Sequence, residues 1–386
     1  MDNTISKVKD IITSIIIRIF NCFPIKNNKI FLYSYYGSQY GCSPKYISEY
    51  LVKNYPDKYD VVWAFNDVDS KKDIKGIRMV RIMSLKYFYE LCTSKVIITN
   101  FRTTEMFKKR KNQYYIQTWH SSLRLKQIEK DAEELLPKNY LKMAKIDSKK
   151  IDLLLSGCKY STEIFKRAFW YDGEIFEHGT PANDILFENN ISKKNIILKK
   201  LNVSNEYKFI LYAPTFRESK SLDIYDMNYE RIITTFEKRF GGKWMLLLKL
   251  HPHMIQVAKD MKKTKGVINV TSYDDIQELL LVADALISDY SAVMFSFLLT
   301  RKPCFLYVPD LEEYINKDRK LYFSINELPF DTGKNNDELE GSILNFNSNE
   351  YKDKVESMIQ KIGSYEDGNA SKNLVEKIET IVYGGI

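Results

Sequence analysis

Histidine is the side chain best suited to proton transfer near neutral pH, and this chain of 386 residues contains four. His120 directly follows the strand-like run YYIQTW, so it should lie where a buried strand ends and a loop begins. A neutral imidazole at that edge could take a proton from an attacking hydroxyl group. A lone loop histidine can equally be structural or solvent-exposed, so position alone leaves both interpretations open.

A second group of basic side chains ends the run LLLKLHPH at 246–253, where Lys249, His251 and His253 surround a proline. A strongly apolar strand has no packing reason to finish in three cationic or potentially cationic residues. Such residues suit an anion held at the edge of a sheet, most simply a phosphate. The alternative is a basic turn that faces solvent.

Two more strand ends carry groups that could bind phosphate. The run FILYAPTFRES at 209–219 presents Thr215 and Arg217, and the planar fork of an arginine can clamp a phosphate. The run ALISDYSAVMF at 285–295 predicts a buried strand, a polar turn with Ser288, Asp289 and Ser291, and a helix whose free N–H groups favour phosphate. N-capping alone explains Ser291 equally well. Three such strand ends in one half of the chain are stronger evidence than any one of them.

The elements that must position these residues follow a regular alternation, because short apolar runs are separated by helical patterns. This alternation is typical of parallel βαβ units and predicts an α/β fold. A long charged helix is expected within 129–149. Strands are expected at 30–36, 60–65, 77–82, 95–100, 114–119, 152–157, 209–214, 243–250, 266–270, 285–290 and 303–308.

The polar stretch 188–208 has no strand pattern and suggests a boundary between two α/β domains. We expect an N-terminal helix in 1–27, a first domain in 28–190 and a second in 205–386. Two largely parallel sheets would leave a cleft at the carboxyl ends of their strands, which is where such sheets bind ligands.

The N-terminal helix has one apolar stripe flanked by basic residues, but Arg18 interrupts the apolar run, which argues against an export signal, and the run is too short to span a bilayer. The pattern suits a helix lying in a membrane interface, and it suits equally a helix packed on its own domain. The stripe consists of Ile5, Val8, Ile12, Ile15, Ile16, Ile19 and Phe23.

Composition excludes several classes of protein. The five cysteines are scattered and form no CxxC pair, so neither a disulfide framework nor a zinc site is indicated, and a reducing cytosol fits best. The net charge of +8 suits an anionic substrate, a membrane surface or nucleic acid without choosing among them. No GxxxxGK[ST], GxGxxG or HExxH motif and no two-metal carboxylate cluster occurs, so we expect no cofactor and no metal.

In combination, several ordered segments resemble the CDP-glycerol glycerophosphotransferase family of teichoic acid and capsule polymer enzymes. The resemblance runs from about Asn28 to about Glu313. Two positions depart from the family pattern, since Ser121 replaces the usual glycine after the histidine and Ala182 replaces the usual arginine. The segments are QTWHSSLRLKQIEKD (117–131), GTPANDIL (179–186), YAPTFRES (212–219), KLHPH (249–253) and ISDYSAVMF (287–295).

The resemblance implies a GT-B type fold, in which two Rossmann-like domains face a cleft, with the donor nucleotide held mainly by the second domain. The family's tryptophan–histidine motif falls on Trp119 and His120, and its histidine is the proposed base. The acceptor side would then include Trp119, Ser121 and Ser122. The donor side would include Thr215, Arg217, Lys249, His251, Ser288, Asp289 and Ser291, with Pro252 and Tyr290 completing the family's two donor-side motifs.

The implied reaction transfers glycerol phosphate from CDP-glycerol to a membrane-linked teichoic acid or capsular polymer and releases CMP. The implied enzyme is cytoplasmic, lies on the inner face of the cell membrane and does not bind nucleic acid. The alternatives are a CDP-ribitol or other CDP-polyol donor, a sugar transferase that uses a nucleotide-sugar, and a binding protein without turnover.

Overall fold

The computed structural model describes residues 2–104, 107–188, 190–217, 227–251, 254, 264–317 and 320–384. The chain forms two compact units. The first consists of Met1–His120, Ile128–Asp184 and Tyr365–Ile386, and the second of Ser121–Gln127 and Ile185–Ser364.

The strands divide between the units, with β1 to β7 in the first and β8 to β13 in the second. In chain order they are β1 Lys26–Tyr33, β2 Asp60–Phe65, β3 Arg78–Arg81, β4 Ser94–Thr99, β5 Tyr114–Gln117, β6 Leu153–Leu155, β7 Glu174–Phe176, β8 Tyr207–Tyr212, β9 Lys243–Leu248, β10 Val267–Asn269, β11 Ala285–Ser288, β12 Cys304–Tyr307 and β13 Asp331–Gly333.

The α-helices are, in chain order, α1 Asp2–Phe20, α2 Cys42–Asn54, α3 Leu85–Thr93, α4 Lys138–Ser148, α5 Lys159–Ala168, α6 Ile191–Lys200, α7 Tyr229–Phe240, α8 Ile276–Val282, α9 Val293–Leu298, α10 Leu311–Lys317, α11 Asn336–Leu344, α12 Ser348–Ile362 and α13 Ala370–Tyr383. Among the described residues, none of these helices is both long enough and apolar enough to cross a membrane.

Both sheets are parallel throughout the described residues, which confirms the α/β prediction. The first has the order β3-β2-β1-β4-β5-β6-β7, and the second has the order β10-β9-β8-β11-β12-β13. Each order is that of a doubly wound sheet, in which the direction of winding reverses beside the first strand of the unit. The reversal lies between β1 and β4 in the first unit and between β8 and β11 in the second.

The core of the first unit contains residues from both ends of the chain. Ile30 and Trp63 lie on its sheet, and Leu374, Val375 and Ile378 of α13 pack into the same buried cluster. Helix α13 also packs on α2. The sequence placed residues 205–386 in one domain, whereas the structure groups the last helix with the first unit because its apolar stripe is buried there.

Helix α1 is both packed and exposed. Its Ile17 is only 3% exposed where the helix meets α3, and Arg110 donates to the carbonyl of Phe23 at 2.7 Å. The opposite face presents a row of isoleucines that are each 49–59% exposed. They are Ile11, Ile12, Ile15 and Ile19.

The prediction of one long charged helix within 129–149 is confirmed only for the second half of this range. The chain instead forms a 3₁₀ segment at Glu129–Leu135 and then α4, with Pro137 between them. Proline lacks an amide hydrogen and disfavours helical geometry in the residue before it, so one continuous helix cannot pass through this point.

Candidate functional site

One group of candidate residues lies at the carboxyl edge of the first sheet, next to the reversal between β1 and β4. Asn100 and Phe101 follow β4, and the segment from Thr118 to His120 follows β5, the next strand in the sheet. Ligands of doubly wound sheets bind at this position. The strand order therefore brings His120 to the edge where the sequence placed it.

A tight turn at Trp119 sets the direction of the chain into His120. Trp119 has φ +51°, a left-handed conformation that costs a non-glycine residue on the order of 1–3 kcal/mol. Neighbouring groups hold it there, since its amide donates to Gln117 Oε1 at 2.9 Å and its carbonyl accepts from Thr118 Oγ1 at 2.9 Å. Cys42 Sγ also approaches that carbonyl, at 3.9 Å.

The imidazole of His120 is exposed and is bordered by two aromatic rings. The ring centroid lies 5.3 Å from that of Phe101 with an interplanar angle of 15°, and 4.5 Å from that of Trp119. Nδ1 lies 3.4 Å from the main-chain carbonyl oxygen of Asn100. The arrangement holds a titratable group at the sheet edge where a substrate hydroxyl could reach it.

A buried arginine supports this turn from below. The guanidinium of Arg102 lies 3.8 Å from the ring centroid of Phe169 and 5.7 Å from that of Trp119. Two buried carboxylates neutralise it, with Glu129 Oε1 at 3.2 Å and Asp147 Oδ2 at 3.4 Å. A buried cation requires partners of opposite charge, so these ion pairs hold Arg102 in place against Trp119.

The second unit brings two of its predicted strand ends together at its own reversal. The amide of Thr215 donates to both carboxylate oxygens of Asp289, at 2.8 and 2.9 Å. Ser288, fully buried at the end of β11, donates its hydroxyl to the carbonyl of Ala213 at 2.8 Å. These bonds join the loops that follow β8 and β11 into one rigid edge.

Arg217 is the centre of this edge and is almost fully buried. Its Nε and Nη2 donate to Asp310 at 2.8 and 3.2 Å, Nη2 also donates to Asp289 at 2.9 Å, and Nη1 donates to the carbonyl of Thr215 at 2.7 Å. Burial opposes the charge, but the two carboxylates outweigh it and raise the pKa of Arg217. The guanidinium thus binds protein carboxylates, and the geometry makes it a clamp on the loop.

Lys249 follows β9 and is also buried. Its ammonium donates to the carbonyls of Thr271 and Tyr273, at 2.8 and 2.6 Å. Burial lowers the pKa of Lys249 to about 8, because removing a cation from water disfavours its charged form. His251 is exposed, with its ring centroid 5.3 Å from that of Phe216. Pro252 and His253 lie outside the described residues.

The serines predicted for the site have different surroundings. Ser291 Oγ accepts from the amide of Val293 at 3.4 Å, while Ala292 is the N-cap of the short helix α9. Ser121 and Ser122, expected on the acceptor side, belong to the second unit by compactness. Their segment is fastened there by Leu125, whose carbonyl accepts from the Tyr322 amide at 2.7 Å.

Within the element at 179–186, residues 179–184 form a buried junction inside the first unit. Gly179 has φ +85°, and a Cβ there would lie 3.1 Å from the carbonyl oxygen of Tyr365. Glu366 accepts from the Thr180 amide at 3.1 Å and from Asn183 Nδ2 at 3.0 Å. Burial raises the pKa of Glu366 to about 7.

Comparison with known families identifies the group to which this geometry belongs. The family model described as CDP-Glycerol:Poly(glycerophosphate) glycerophosphotransferase matches residues 15–380. The chain belongs to this family. The match confirms the resemblance inferred from the five segments, including those that carry His120 and Lys249.

Individual members of the glycerophosphotransferase family are similar along nearly the whole chain. The teichoic acid poly(glycerol phosphate) polymerase of Bacillus spizizenii is 30% identical over 95% of this chain and 96% of that protein. The teichoic acid glycerol-phosphate transferase of Staphylococcus aureus is 30% identical over 97% and 99%, respectively. The chain spans only 45% of the length of the Bacillus subtilis polymerase, to which it is 32% identical.

A solved structure of the wall teichoic acid polymerase TagF superposes with a TM-score of 0.85 at 29% identity, covering 99% of this chain and 97% of that one. A structure of a putative UDP-N-acetylglucosamine 2-epimerase of Listeria monocytogenes and one of the enzyme of Neisseria meningitidis reach TM-scores of 0.54 and 0.53 at 15% and 14% identity. The similarity to the epimerases shows only that the fold is shared.

Several residues that contact the predicted site residues were missed by sequence reasoning. Asp310, which holds Arg217, lies 93 residues further along the chain and belongs to no recognised segment. Asn100 and Phe101 end the run KVIITNF, and nothing in their spacing points to His120. A possible signal was the position of both runs at the ends of predicted strands, which adjacent parallel strands would bring to one edge.

Proposed function

We propose that this chain transfers glycerol phosphate from CDP-glycerol to a membrane-linked teichoic acid or capsular polymer and releases CMP. The observation that carries the proposal is the family match over residues 15–380, supported by relatives that cover nearly the whole chain. The turn at Trp119 and His120 supplies a group suited to the chemistry.

In the proposed reaction, a hydroxyl oxygen of the acceptor attacks the donor phosphorus nearer the glycerol. The new P–O bond forms as the bond from that phosphorus to the oxygen of CMP breaks, and His120 accepts the hydroxyl proton. CMP leaves as a phosphate monoester, which is a good leaving group. The protein therefore has mainly to orient two substrates and stabilise the developing charge.

We assign donor binding to the carboxyl edge of the second sheet. His251 is exposed there, and Thr215 and Ser291 are partly exposed beside the edge that Arg217 makes rigid. Ser288, Asp289 and Lys249 shape this edge through their buried hydrogen bonds. The acceptor would bind beside Trp119 and His120, with Ser121 and Ser122 following them in the chain.

We further propose a GT-B type arrangement, with one donor-binding and one acceptor-binding sheet. The support is the shared doubly wound strand order of two parallel sheets, each carrying its candidate residues at or beside its own reversal point. In doubly wound sheets, ligands usually bind at the carboxyl ends of the strands where the strand order reverses.

We also propose that α1 holds the enzyme on the inner face of the cell membrane, where a lipid-linked acceptor would reside. The helix is anchored to its own unit through Ile17 and yet leaves the isoleucines of its opposite face in solvent. An amphipathic helix of this kind is stabilised when its apolar face enters the lipid boundary.

A CDP-ribitol donor is the second candidate, since ribitol-phosphate enzymes of Bacillus spizizenii are 23–25% identical to this chain. The glycerol-phosphate relatives are 28–33% identical to this chain, which favours glycerol.

The deciding experiment incubates the purified chain with a lipid-linked glycerol-phosphate acceptor and CDP-glycerol, CDP-ribitol or UDP-sugars, and identifies the nucleotide released. We expect CMP with CDP-glycerol. Release of CMP from CDP-ribitol alone would show that CDP-ribitol, and not CDP-glycerol, is the donor. Release of a nucleoside diphosphate would indicate a sugar transferase, and no turnover with any donor would indicate a binding protein.

The proposed base is tested in the same assay with His120→Gln, which keeps a hydrogen-bonding side chain but cannot accept the proton. Turnover should fall by at least about a hundred-fold, as expected when a general base is lost. Affinity for CDP-glycerol should stay within about twofold, because the base is not needed to hold the nucleotide. A variant that retains more than about a tenth of the turnover would exclude this role.

A further inference from the structure

The ring of Phe101 lies nearly parallel to the imidazole of His120. The centroids are 5.3 Å apart and the planes differ by 15°. A planar neighbour at this distance limits rotation about the last side-chain bond of a histidine, whose χ2 angle is otherwise broadly distributed. Phe101 thus restricts the plane in which the imidazole nitrogens can point.

The residue before Phe101 selects the tautomer of His120. The carbonyl oxygen of Asn100 lies 3.4 Å from Nδ1, and a carbonyl can only accept a hydrogen bond. The contact therefore favours the neutral imidazole that carries its hydrogen on Nδ1. In that tautomer the lone pair that can take a proton is on Nε2.

Phe101 is itself held from several sides. Its ring lies 5.4 Å from that of Tyr35 and 4.6 Å from that of Tyr36, and its carbonyl accepts from Gln117 Nε2 at 3.0 Å. The amide of Tyr35 donates to Asn100 Oδ1 at 3.0 Å. The turn that follows β1 therefore fixes the dipeptide that orders His120.

We propose that Phe101 is a positioning residue of the transferase, which acts with the Asn100 carbonyl to present Nε2 of His120 to the acceptor hydroxyl. The inference rests on the proposed role of His120 as the base. An aromatic face beside the imidazole also attracts the imidazolium that forms when the base takes its proton. Both effects act on turnover and not on the binding of CDP-glycerol.

The test compares Phe101→Leu, which keeps apolar volume but loses the planar ring, with Phe101→Tyr, which keeps the ring. Phe101→Leu should lower kcat by ~10–100-fold, the effect of a small misplacement of a catalytic group. KM for CDP-glycerol should change by less than about twofold, because no donor contact is removed. Phe101→Tyr should restore at least about half of the wild-type kcat, since its ring can occupy the same place.

A matched control is Phe176→Leu, because the ring of Phe176 lies 4.5 Å from that of a different histidine, His178, in the same unit. This buried substitution should lower thermal stability and leave kcat per folded molecule unchanged. A second measurement reads the tautomer directly from the ¹⁵N shifts of the imidazoles, with His120→Gln used for assignment. Wild type should show His120 with hydrogen on Nδ1, and Phe101→Leu should show a mixture.

Unchanged kcat in Phe101→Leu beside an inactive His120→Gln would reject the positioning role while leaving the base intact. A wild-type His120 with its hydrogen on Nε2 would also reject it, even if Phe101→Leu failed to fold. An active His120→Gln would instead overturn the base itself.

Discussion

Replacing Arg217 by methionine separates a structural clamp from a direct ligand of the donor. Methionine keeps much of the apolar stem but removes the guanidinium, which is 3% exposed and lies between Asp289 and Asp310. The four hydrogen bonds to these carboxylates and to the Thr215 carbonyl would be lost. Two carboxylates would then remain at the edge of the second sheet without their cation.

The expected loss of stability follows from this burial. Removing one partner of a buried ion pair typically costs about 3–5 kcal/mol, because the remaining charge is uncompensated. In a unit of 150–250 residues each kcal/mol shifts Tm by about 2–4 °C, so the transition of the second unit should fall by roughly 6–20 °C. If Arg217 only contacted the donor, its replacement would instead weaken donor binding by about 1–3 kcal/mol and leave the stability of the protein unchanged.

The assay is thermal and urea unfolding of the wild type, Arg217→Met and a control, together with titration of CDP-glycerol. The control is Arg301→Met, because Arg301 pairs with Glu356 in the same unit but is 41% exposed. An exposed pair is worth less than about 1 kcal/mol, so the control should hardly shift. Equal unfolding midpoints for the two variants, with donor affinity lost only in Arg217→Met, would refute the clamp.

Three further predictions concern other parts of the molecule. The double variant Ile15→Glu with Ile19→Glu should bind phosphatidylglycerol vesicles at least about tenfold more weakly than the wild type, and its Tm should not fall, because both side chains are exposed. The control Ile196→Glu, at an exposed position on α6, should bind as the wild type does. Equal binding by the wild type, the double variant and the control would contradict the membrane role. The folded state raises the pKa of Glu366 from 4.5 to about 7, so the stability that Glu366 contributes is full below pH 4.5 and is lost as the pH rises through 7. Urea unfolding at several pH values should therefore show a fall in the free energy of unfolding over this range for the wild type and not for Glu366→Gln. The same fall in both proteins would contradict the prediction. Arg102→Met should cost about 3–5 kcal/mol of unfolding free energy by urea titration, and a loss below about 1 kcal/mol would show that its two carboxylates do not depend on it.

The strands were predictable because they are short, apolar and bounded by polar turns. The runs at 60–65 and 243–250 correspond closely to β2 and β9. Their ends were less certain, since the run at 30–36 continues past β1 into a turn where Tyr35 and Tyr36 have positive φ. Aromatic residues carry the same apolar signal in a strand and in a strained turn, so hydrophobic pattern cannot separate them.

The partners of the site residues could not be predicted, because they depend on contacts between distant parts of the chain. Thr215 and Arg217 were predicted at a strand end, but their spacing does not show that Asp289 binds Thr215 or that Asp310 binds Arg217. The apolar stripe of α13 likewise predicts that the helix is packed, but it does not show against which of the two cores. Local spacing fixes the secondary structure, and the choice among possible partners is made by packing and charge in three dimensions.

The placement of α13 in the first unit has a consequence for how the protein is made. Asp184 accepts from the amide of Ala370, and the two residues are 186 positions apart. At about 5–20 residues per second, a ribosome needs about 10–40 s to synthesise the chain between them. During that time the first unit lacks a helix of its core, although most of its sheet has already emerged. The first unit is thus completed only after the second unit has been made, and the core residues that α13 covers stay uncovered until then.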